Sequence, residues 1–384
     1  MKQRTYKATG INLKGMPMGE SDRLVTVLTK EHGLVRAIAP GARKHKSRLG
    51  GRSGMFVVND VLFTKGKSID KLIQAETLQS FPGLSQDLAK LTASQYLAEI
   101  VLAQALTEQP QEALYYLLIE HLSRIEAAAK PNVLACLAQA TFHLLALAGV
   151  APEVFRCALS RVPLTIELGN PDWQVGFSVS SGGAIAVAEI ERITCDRLQE
   201  VEQRVAEREQ ERQLSATGPL ANSQIDSQAD SQINAQTHPV TADTPAAYST
   251  SAKSSLSAGL KSQIEKDVAK QIGIVTYLSA AELALMQQLS KPELVLTTTP
   301  KLSAKLPTQF PPGQFPSGVR DQFSPESGTI RQSASTRPGF GSNQLTQSGP
   351  HLMWRHIEQA LRQYTQYQFD RPIKSAALID TCFS

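Results

Sequence analysis

Between Arg36 and Arg52 the chain reads R-A-I-A-P-G-A-R-K-H-K-S-R-L-G-G-R. It places Arg36, Arg43, Lys44, Lys46, Arg48 and Arg52 together with no carboxylate among them. Lysine and arginine at this density suit phosphate neutralisation, which ignores base sequence and weakens with salt. Gly41, Gly50, Gly51 and Gly54 allow a mobile loop whose backbone can approach a ligand closely. Taken alone, such a run is as well read as a solvated loop that keeps a domain soluble. Its setting favours nucleic acid. Met1 to Asp70 carries 14 Lys and Arg against 5 Asp and Glu, although the whole chain is only +4. A basic module on a slightly acidic body points to a polyanionic partner at that end.

Other chemistry is hard to find. The 384 residues contain no Walker loop, no G-x-G-x-x-G, no H-E-x-x-H and no G-x-S-x-G. His143 and Cys136 lie in an apolar stretch and read as core. Glu20 and Asp22 read as turn surface, and no cluster of carboxylates suits a metal-dependent nuclease. No catalytic residue is assigned, and the expectation is a protein that is not an enzyme, with no cofactor and no bound metal. The N-terminal aromatics Tyr6, Phe56 and Phe63 are few, and the two phenylalanines sit in apolar strands. Phosphate contacts are therefore expected over base stacking.

Cys136, Cys157, Cys195 and Cys382 form no C-x-x-C pair and read as reduced thiols of a cytoplasmic protein. The N-terminus has no apolar core of a secretory signal. Val133 to Ala151 approaches bilayer length, but Gln139, His143 and its alanines mark a buried helix rather than a membrane span.

The basic loop must be held by its neighbours, and these read as strands: Tyr6 to Leu13, Leu24 to Thr29, Leu34 to Ala39, Met55 to Phe63 and Leu72 to Leu78. Five short strands in about 80 residues suit a closed barrel, of either OB or SH3-like type. From Leu84 the apolar period turns helical. Pro110 and Pro131 open a second and third helix, the third ending near Gly149. Leu164 to Glu167 and Gln174 to Val179 look like strands, and Glu189 to Gln213 like the start of a charged helix. Ser215 to Ser262 is rich in Ser, Gln, Ala and Thr and predicts disorder. Ser279 with Glu282 predicts a capping box opening a helix to Leu289. A Pro-, Gly- and Gln-rich stretch from Thr297 to Pro350 follows, and then a helix over Leu352 to Tyr367.

Several stretches resemble the RecO family of bacterial DNA-repair proteins. They are G-I-N-L at Gly10 to Leu13, G-E-S-D-R-L-V-T-V-L-T at Gly19 to Thr29, E-H-G-L-V-R-A-I-A-P-G-A-R-K at Glu31 to Lys44, and K-S-R-L-G-G at Lys46 to Gly51. Gln95-Tyr96-Leu97-Ala98-Glu99 and Arg371-Pro372-Ile373-Lys374-Ser375 match in pattern as well. The resemblance implies an N-terminal OB-fold, a helical domain and a zinc-ribbon-like element. It further implies binding of single- and double-stranded DNA, annealing of complementary strands, and loading of RecA recombinase together with RecR and single-stranded-DNA-binding protein. Such a protein would be cytoplasmic and nucleoid-associated, with no membrane partner. Carried over by position, Arg43, Lys44, Lys46 and Arg48 belong to the DNA-binding surface. The zinc pattern departs from the family's two C-x-x-C pairs. Only Cys157 of the first pair remains, and the glycines at 182 and 183 are followed by no cysteine. No zinc is expected, with apolar packing in its place.

The expected architecture is α+β. It comprises an OB-like barrel at 1–80, a helical domain with a degenerate zinc-ribbon-like segment at 81–200, and a disordered insert at 201–270. A helical segment at 271–296, a second disordered insert at 297–350 and a C-terminal helix and tail at 351–384 complete it. The competing reading is an RNA-binding OB protein linked to translation or ribosome assembly. A hydrolase or nuclease whose site is assembled from distant residues is the other alternative.

Overall fold

The first five strands close on themselves. They are β1 (Thr5–Met18), β2 (Asp22–Thr29), β3 (Gly33–Ala39), β4 (Val57–Thr64) and β5 (Asp70–Ser80), and they form a closed barrel in the order β1-β2-β3-β5-β4. The computed structural model describes residues 5–216, 258–291 and 350–383. The strand order settles what strand number left open: this is the OB-type barrel. Alternation builds it. Val25 and Val27 of β2, and Val35, Ala37 and Ala39 of β3, face a buried interior shared with Ala8, Val61, Phe63, Leu72 and Ala75. Small alanines leave the room that Phe63 fills. A bulge between Asn12 and Lys14 bends β1 so that one long strand pairs with both β2 and β4. Closure is completed by a short parallel pairing of β3 with β5, Ala37 opposite Asp70 and Ile38 opposite Lys71.

One end of the barrel's outer surface is covered by helices. Ile11, Leu28 and Val58 join a core made mainly by α1 (Leu88–Gln104), α2 (Glu112–Ala127) and α3 (Val133–Leu147). Asp87 caps α1 by accepting from the amides of Ala89 and Lys90, a contact type worth about 1 kcal/mol. Gly149, just past α3, adopts φ +77°, the left-handed conformation that glycine supplies at helix ends. α3 is buried nearly all round, which explains its bilayer-like composition. No described helix is long and apolar enough to cross a membrane. The two parts are tied by backbone bonds: Leu34 N–H to Leu106 O at 2.8 Å and Gln111 N–H to Lys30 O at 2.8 Å.

After α3 come β6 (Gln174–Ser178), β7 (Gly183–Ala186), α4 (Val187–Ala216), α5 (Ala258–Gln271), β8 (Ile274–Ser279), α6 (Ala280–Gln288), α7 (Pro350–Phe369) and α8 (Ala376–Cys382). A three-stranded sheet runs β7-β6-β8, all antiparallel. Among the described residues, those between Ala188 and Gln271 form a compact unit of their own, and the rest form another.

Four expectations need correction. Leu164 to Glu167 is not a strand. Pro163 bridges only to Arg156, and no neighbouring strand takes up the run. Helix, not disorder, occupies the two ends of the stretch 201–270, through α4 to Ala216 and α5 from Ala258. Its middle, 217–257, lies outside the described residues, as does most of the Pro-rich stretch 297–350. The segment 271–296 is not simply helical, since it opens with strand β8. The fourth concerns the basic loop, described next. Ser279 forms the expected capping box with Glu282.

Candidate nucleic-acid interface

Arg36 projects from the outer face of β3, where its neighbours Val35 and Ala37 point inward. The other five cations lie on residues 40–56, which run from β3 to β4 across one end of the barrel as a series of turns. Ala42 and Leu49 tuck into the barrel core from this loop.

The loop is tethered rather than free, contrary to its glycine content. Asp22 accepts the Gly41 N–H at 2.8 Å. Arg43 N–H donates to Ser21 O at 2.9 Å, and Arg43 Nη1 to Gly19 O at 2.8 Å. At the other end, Arg23 Nη1 donates to Gly50 O, Ser53 O and Ser53 Oγ at 3.3, 3.1 and 3.0 Å. Asn12 and Asn59, both buried, donate from Nδ2 to Arg52 O at 2.8 and 2.9 Å. These bonds satisfy loop carbonyls that would otherwise be stranded against the barrel. Gly41 itself needs its glycine, with φ +63°. Phe56 closes the loop with φ +59° and a buried ring, its N–H donating to Asn12 O at 2.8 Å.

Tethering decides where the charges go. Arg36, Arg43, Lys44, Lys46, Arg48 and Arg52 are all exposed. Arg43 and Arg52 each donate one guanidinium N–H to a backbone carbonyl, Arg52 to Ala75 O at 2.7 Å. None of the six has a carboxylate within salt-bridge distance among the described residues. Asp22 is close enough to feel Lys44. Its bonds from the Gly41 amide and the Ser21 hydroxyl hold its carboxyl below the usual range, so it remains an ionised anchor. Sequence reasoning set Asp22 aside as a turn residue and passed over Arg23, Asn12 and Asn59. The loop partners of Asp22, Arg23 and Asn12 lie 19 to 42 residues away in the chain, beyond any local pattern, and that of Asn59 lies 7 away.

The aromatic reading also holds its shape. Phe56 and Phe63 are buried, and Tyr6 packs on Phe63 while its hydroxyl bonds to Asp70. Among the described residues, the loop over 40–56 carries no exposed Phe, Tyr or Trp. His143 is hydrogen-bonded to His121 at 3.1 Å and to Lys291 O at 3.2 Å, which makes it a polar strut between helices. Burial first, and the facing His143 second, push His121 well below its ordinary value, so it stays neutral.

The residues do not fit the zinc site of a ribbon. Cys157 is buried, and its Sγ accepts the Ala186 N–H at 3.5 Å. Burial pushes its thiol up, but the Ser160 hydroxyl and the amides of Ser160, Ala186 and Leu159 outweigh that and leave it below its ordinary value. Ser160 thus offers a hydrogen where a second ligand would offer sulfur. Among the described residues no group of three or more His, Cys, Asp or Glu is placed to hold a metal. Apolar packing closes this knuckle as expected, with Val154 and Ala184 in the core and Phe155, Leu164 and Ile166 packed against it, and hydrogen bonds add to it. Glu153 joins them, its Oε1 accepting from the amides of Phe155 and Arg156.

Comparison with known proteins agrees with this frame. Residues 1–81 match the family described as Recombination protein O N terminal, and residues 85–212 the Recombination protein O C terminal. The chain is 41% identical over 385 residues to a DNA repair protein RecO of Nostoc punctiforme, covering 99% of this chain and 97% of that one. A DNA repair protein RecO of Acaryochloris marina is 40% identical over 381 residues, covering 99% and 96%. The namesake from Gloeothece citriformis is 67% identical over 183 residues, 47% of this chain and 65% of that one. An OB-type barrel feeding a three-helix core, matched along its length by these relatives, places this chain in the RecO family of DNA repair proteins.

Proposed function

We propose that the protein is a non-catalytic recombination mediator, which binds single- and double-stranded DNA through the tethered basic loop and anneals complementary strands. One observation supports this reading above others. Arg43, Lys44, Lys46, Arg48 and Arg52 are exposed without carboxylate partners on a loop whose backbone is already fixed, and Arg36 is likewise exposed on the outer face of β3. A fixed cationic surface can neutralise phosphates on two strands at once without first ordering itself. Lower repulsion between the strands lets bases pair, and no covalent step is needed. If about five phosphates on single strands are neutralised, log affinity falls against log salt with a slope near −3.5.

In this reading the helical part offers the surface for protein partners, RecR and single-stranded-DNA-binding protein, in the loading of RecA. The protein works in the cytoplasm with the nucleoid. The test is annealing of complementary strands coated with single-stranded-DNA-binding protein. The natural chain is compared with one carrying Arg43→Glu, Lys44→Glu, Lys46→Glu and Arg48→Glu. Annealing that is lost in the folded variant supports both role and loop. Equal annealing by both moves the DNA site elsewhere. No annealing by either defeats the mediator reading and makes structured RNA the next ligand to try.

A further inference from the structure

α4 changes character along its length. Ile190 and Thr194, in its first turns, are buried. From Cys195 to Gln213 no residue is buried, and all are exposed except Leu198, Val201 and Val205, which are half-buried. Among the described residues, therefore, nothing packs on this stretch as a core would. The three half-buried side chains are three and four positions apart, so they share one face of the helix. They stand at successive a, d and a positions of a heptad. Arg208 takes the next d position and ends the apolar seam, although its aliphatic stem extends the cover.

The two flanks of this seam differ in sign. Arg197 and Arg204 occupy the g positions on one side, and Glu202 and Glu209 the e positions on the other. Arg197 meets Glu200 at 2.8 Å in an exposed pair, which is worth little and leaves the guanidinium open to a second partner. Glu202, Arg204 and Glu209 have no ion pair among the described residues. A second copy of the same helix supplies both halves of the pattern. In a parallel two-stranded coil, each g position lies beside the next e position of the facing helix. Arg197 then meets Glu202 and Arg204 meets Glu209, along both edges. Turned antiparallel, g lies against g and e against e, which sets Arg against Arg and Glu against Glu. The charges thus select one partner and one direction.

We propose that α4 is a parallel dimerisation helix, which joins two copies of this chain through Leu198, Val201 and Val205. Three apolar layers make a weak seam, so association is set by protein concentration. The inference rests on α4 alone and is independent of what the basic loop binds.

The full chain is measured by sedimentation equilibrium at up to about 100 μM, which reveals micromolar association. Two variants are compared, Arg197→Glu/Arg204→Glu and Glu202→Arg/Glu209→Arg. All four positions are exposed, and equal circular dichroism at low concentration confirms that each variant is folded. The natural chain is expected to dimerise. Each variant alone sets like charges along both edges and should dimerise at least about tenfold more weakly. Mixed in equal amounts, one variant is acidic at e and g and the other basic, so the pair should associate as tightly as the natural chain or better. Under mild oxidation, Val201→Cys in a Cys195→Ser background should form a disulfide-linked dimer. Gln203→Cys in the same background, on the opposite face of the helix, should not. A natural chain that stays monomeric throughout leaves the seam to another protein's helix and overturns the proposal. A dimer indifferent to both charge variants, or variants that do not pair when mixed, places the contact elsewhere and overturns it too. Equal crosslinking at 201 and 203 has the same meaning.

Discussion

Glu99, near the end of α1, accepts the backbone N–H of Lys374 at 2.6 Å, and that of Ser375 at 3.3 Å, from a segment 275 positions further along the chain. Both partners belong to stretches that carried the family resemblance, Q-Y-L-A-E and R-P-I-K-S. Their shared pattern has a physical reason. Lys374 and the N-cap Ser375 lie just before the short helix α8, outside its internal bonding, and the Glu99 carboxylate satisfies both amides. Glu99→Ala is expected to lower stability by about 1–3 kcal/mol, with Glu99→Gln recovering part of the loss. Thermal denaturation checks this. Equal melting of all three proteins would remove Glu99 as the tie between α1 and the C-terminal segment.

Asp22 gives a prediction whose sign separates two ideas. Removing a carboxylate beside Lys44 and Lys71 should tighten DNA binding if charge alone counts. It should weaken binding if the loop must be held, since Asp22 is the acceptor for Gly41. We expect Asp22→Ala to lose affinity several-fold and Asp22→Asn, which keeps an acceptor oxygen, to hold or gain. Fluorescence anisotropy with a labelled single strand decides. A tighter Asp22→Ala variant means the loop needs no anchor there.

The pH dependence of stability should carry the mark of His356. Its Nδ1 lies 2.6 Å from Glu282 Oε1, and its Nε2 2.6 Å from Thr276 Oγ1. The Glu282 bond raises His356 against the opposing effect of burial. Burial pushes Glu282 up, but the bonds from His356 and Ser279 prevail and hold it low. A base with a raised folded pKa stabilises fully below its unfolded value, about 6.5, and loses that contribution as pH rises through the folded value. An acid held low contributes above its unfolded value and loses it as pH falls through the folded one. The link between α6 and α7 is therefore strongest from about pH 5 to 6.5. The melting-temperature difference between the natural chain and His356→Gln should shrink between pH 6 and 8. Glu358, pushed up to about 7 by burial, titrates in the same range in both proteins and cancels in that difference. A difference that stays constant across this range would show that the imidazole carries no charge there.

Around Cys157, melting should be indifferent to strong zinc chelators. Cys157→Ala should cost about 1–3 kcal/mol by leaving the Ala186 amide without an acceptor, while Cys157→Ser should cost less. A chelator-induced drop of several degrees in the natural chain would mean that metal, not packing and hydrogen bonds, closes the knuckle.

The barrel strands were readable because alternation, Val and Ile content and flanking Gly or Asp all agreed. β1 nonetheless runs to Met18, five residues past its expected end, because Lys14, Gly15 and Pro17 read as loop. β8 escaped notice beside the stronger capping signal of Ser279. Its pairing with β6 spans about a hundred residues of chain, which no local pattern reports. α5 was hidden by its Ser, Gln and Lys content, although Ile264 and Val268, four apart, are both buried. Leu164 to Glu167 had the side chains of a strand and no neighbour to pair with. In the site, residue types were legible and their fixation was not. The cations stand in sequence, but Arg23, Asn12 and Asn59 act on the loop across the barrel.

The parallel weld between β3 and β5 joins only two residue pairs, whereas β1 is paired with its neighbours along much of its length. Local opening begins where the fewest bonds must break, so the cylinder has a built-in slit between Ile38 and Lys71. Amide protons that face this weld, at Ala37, Ile38, Asp70 and Lys71, are therefore expected to exchange with solvent sooner than those of β1. A strand lying across both residues would act as a stitch over the slit, and its arrival would be recorded as slower exchange in a sheet whose static outline hardly changes.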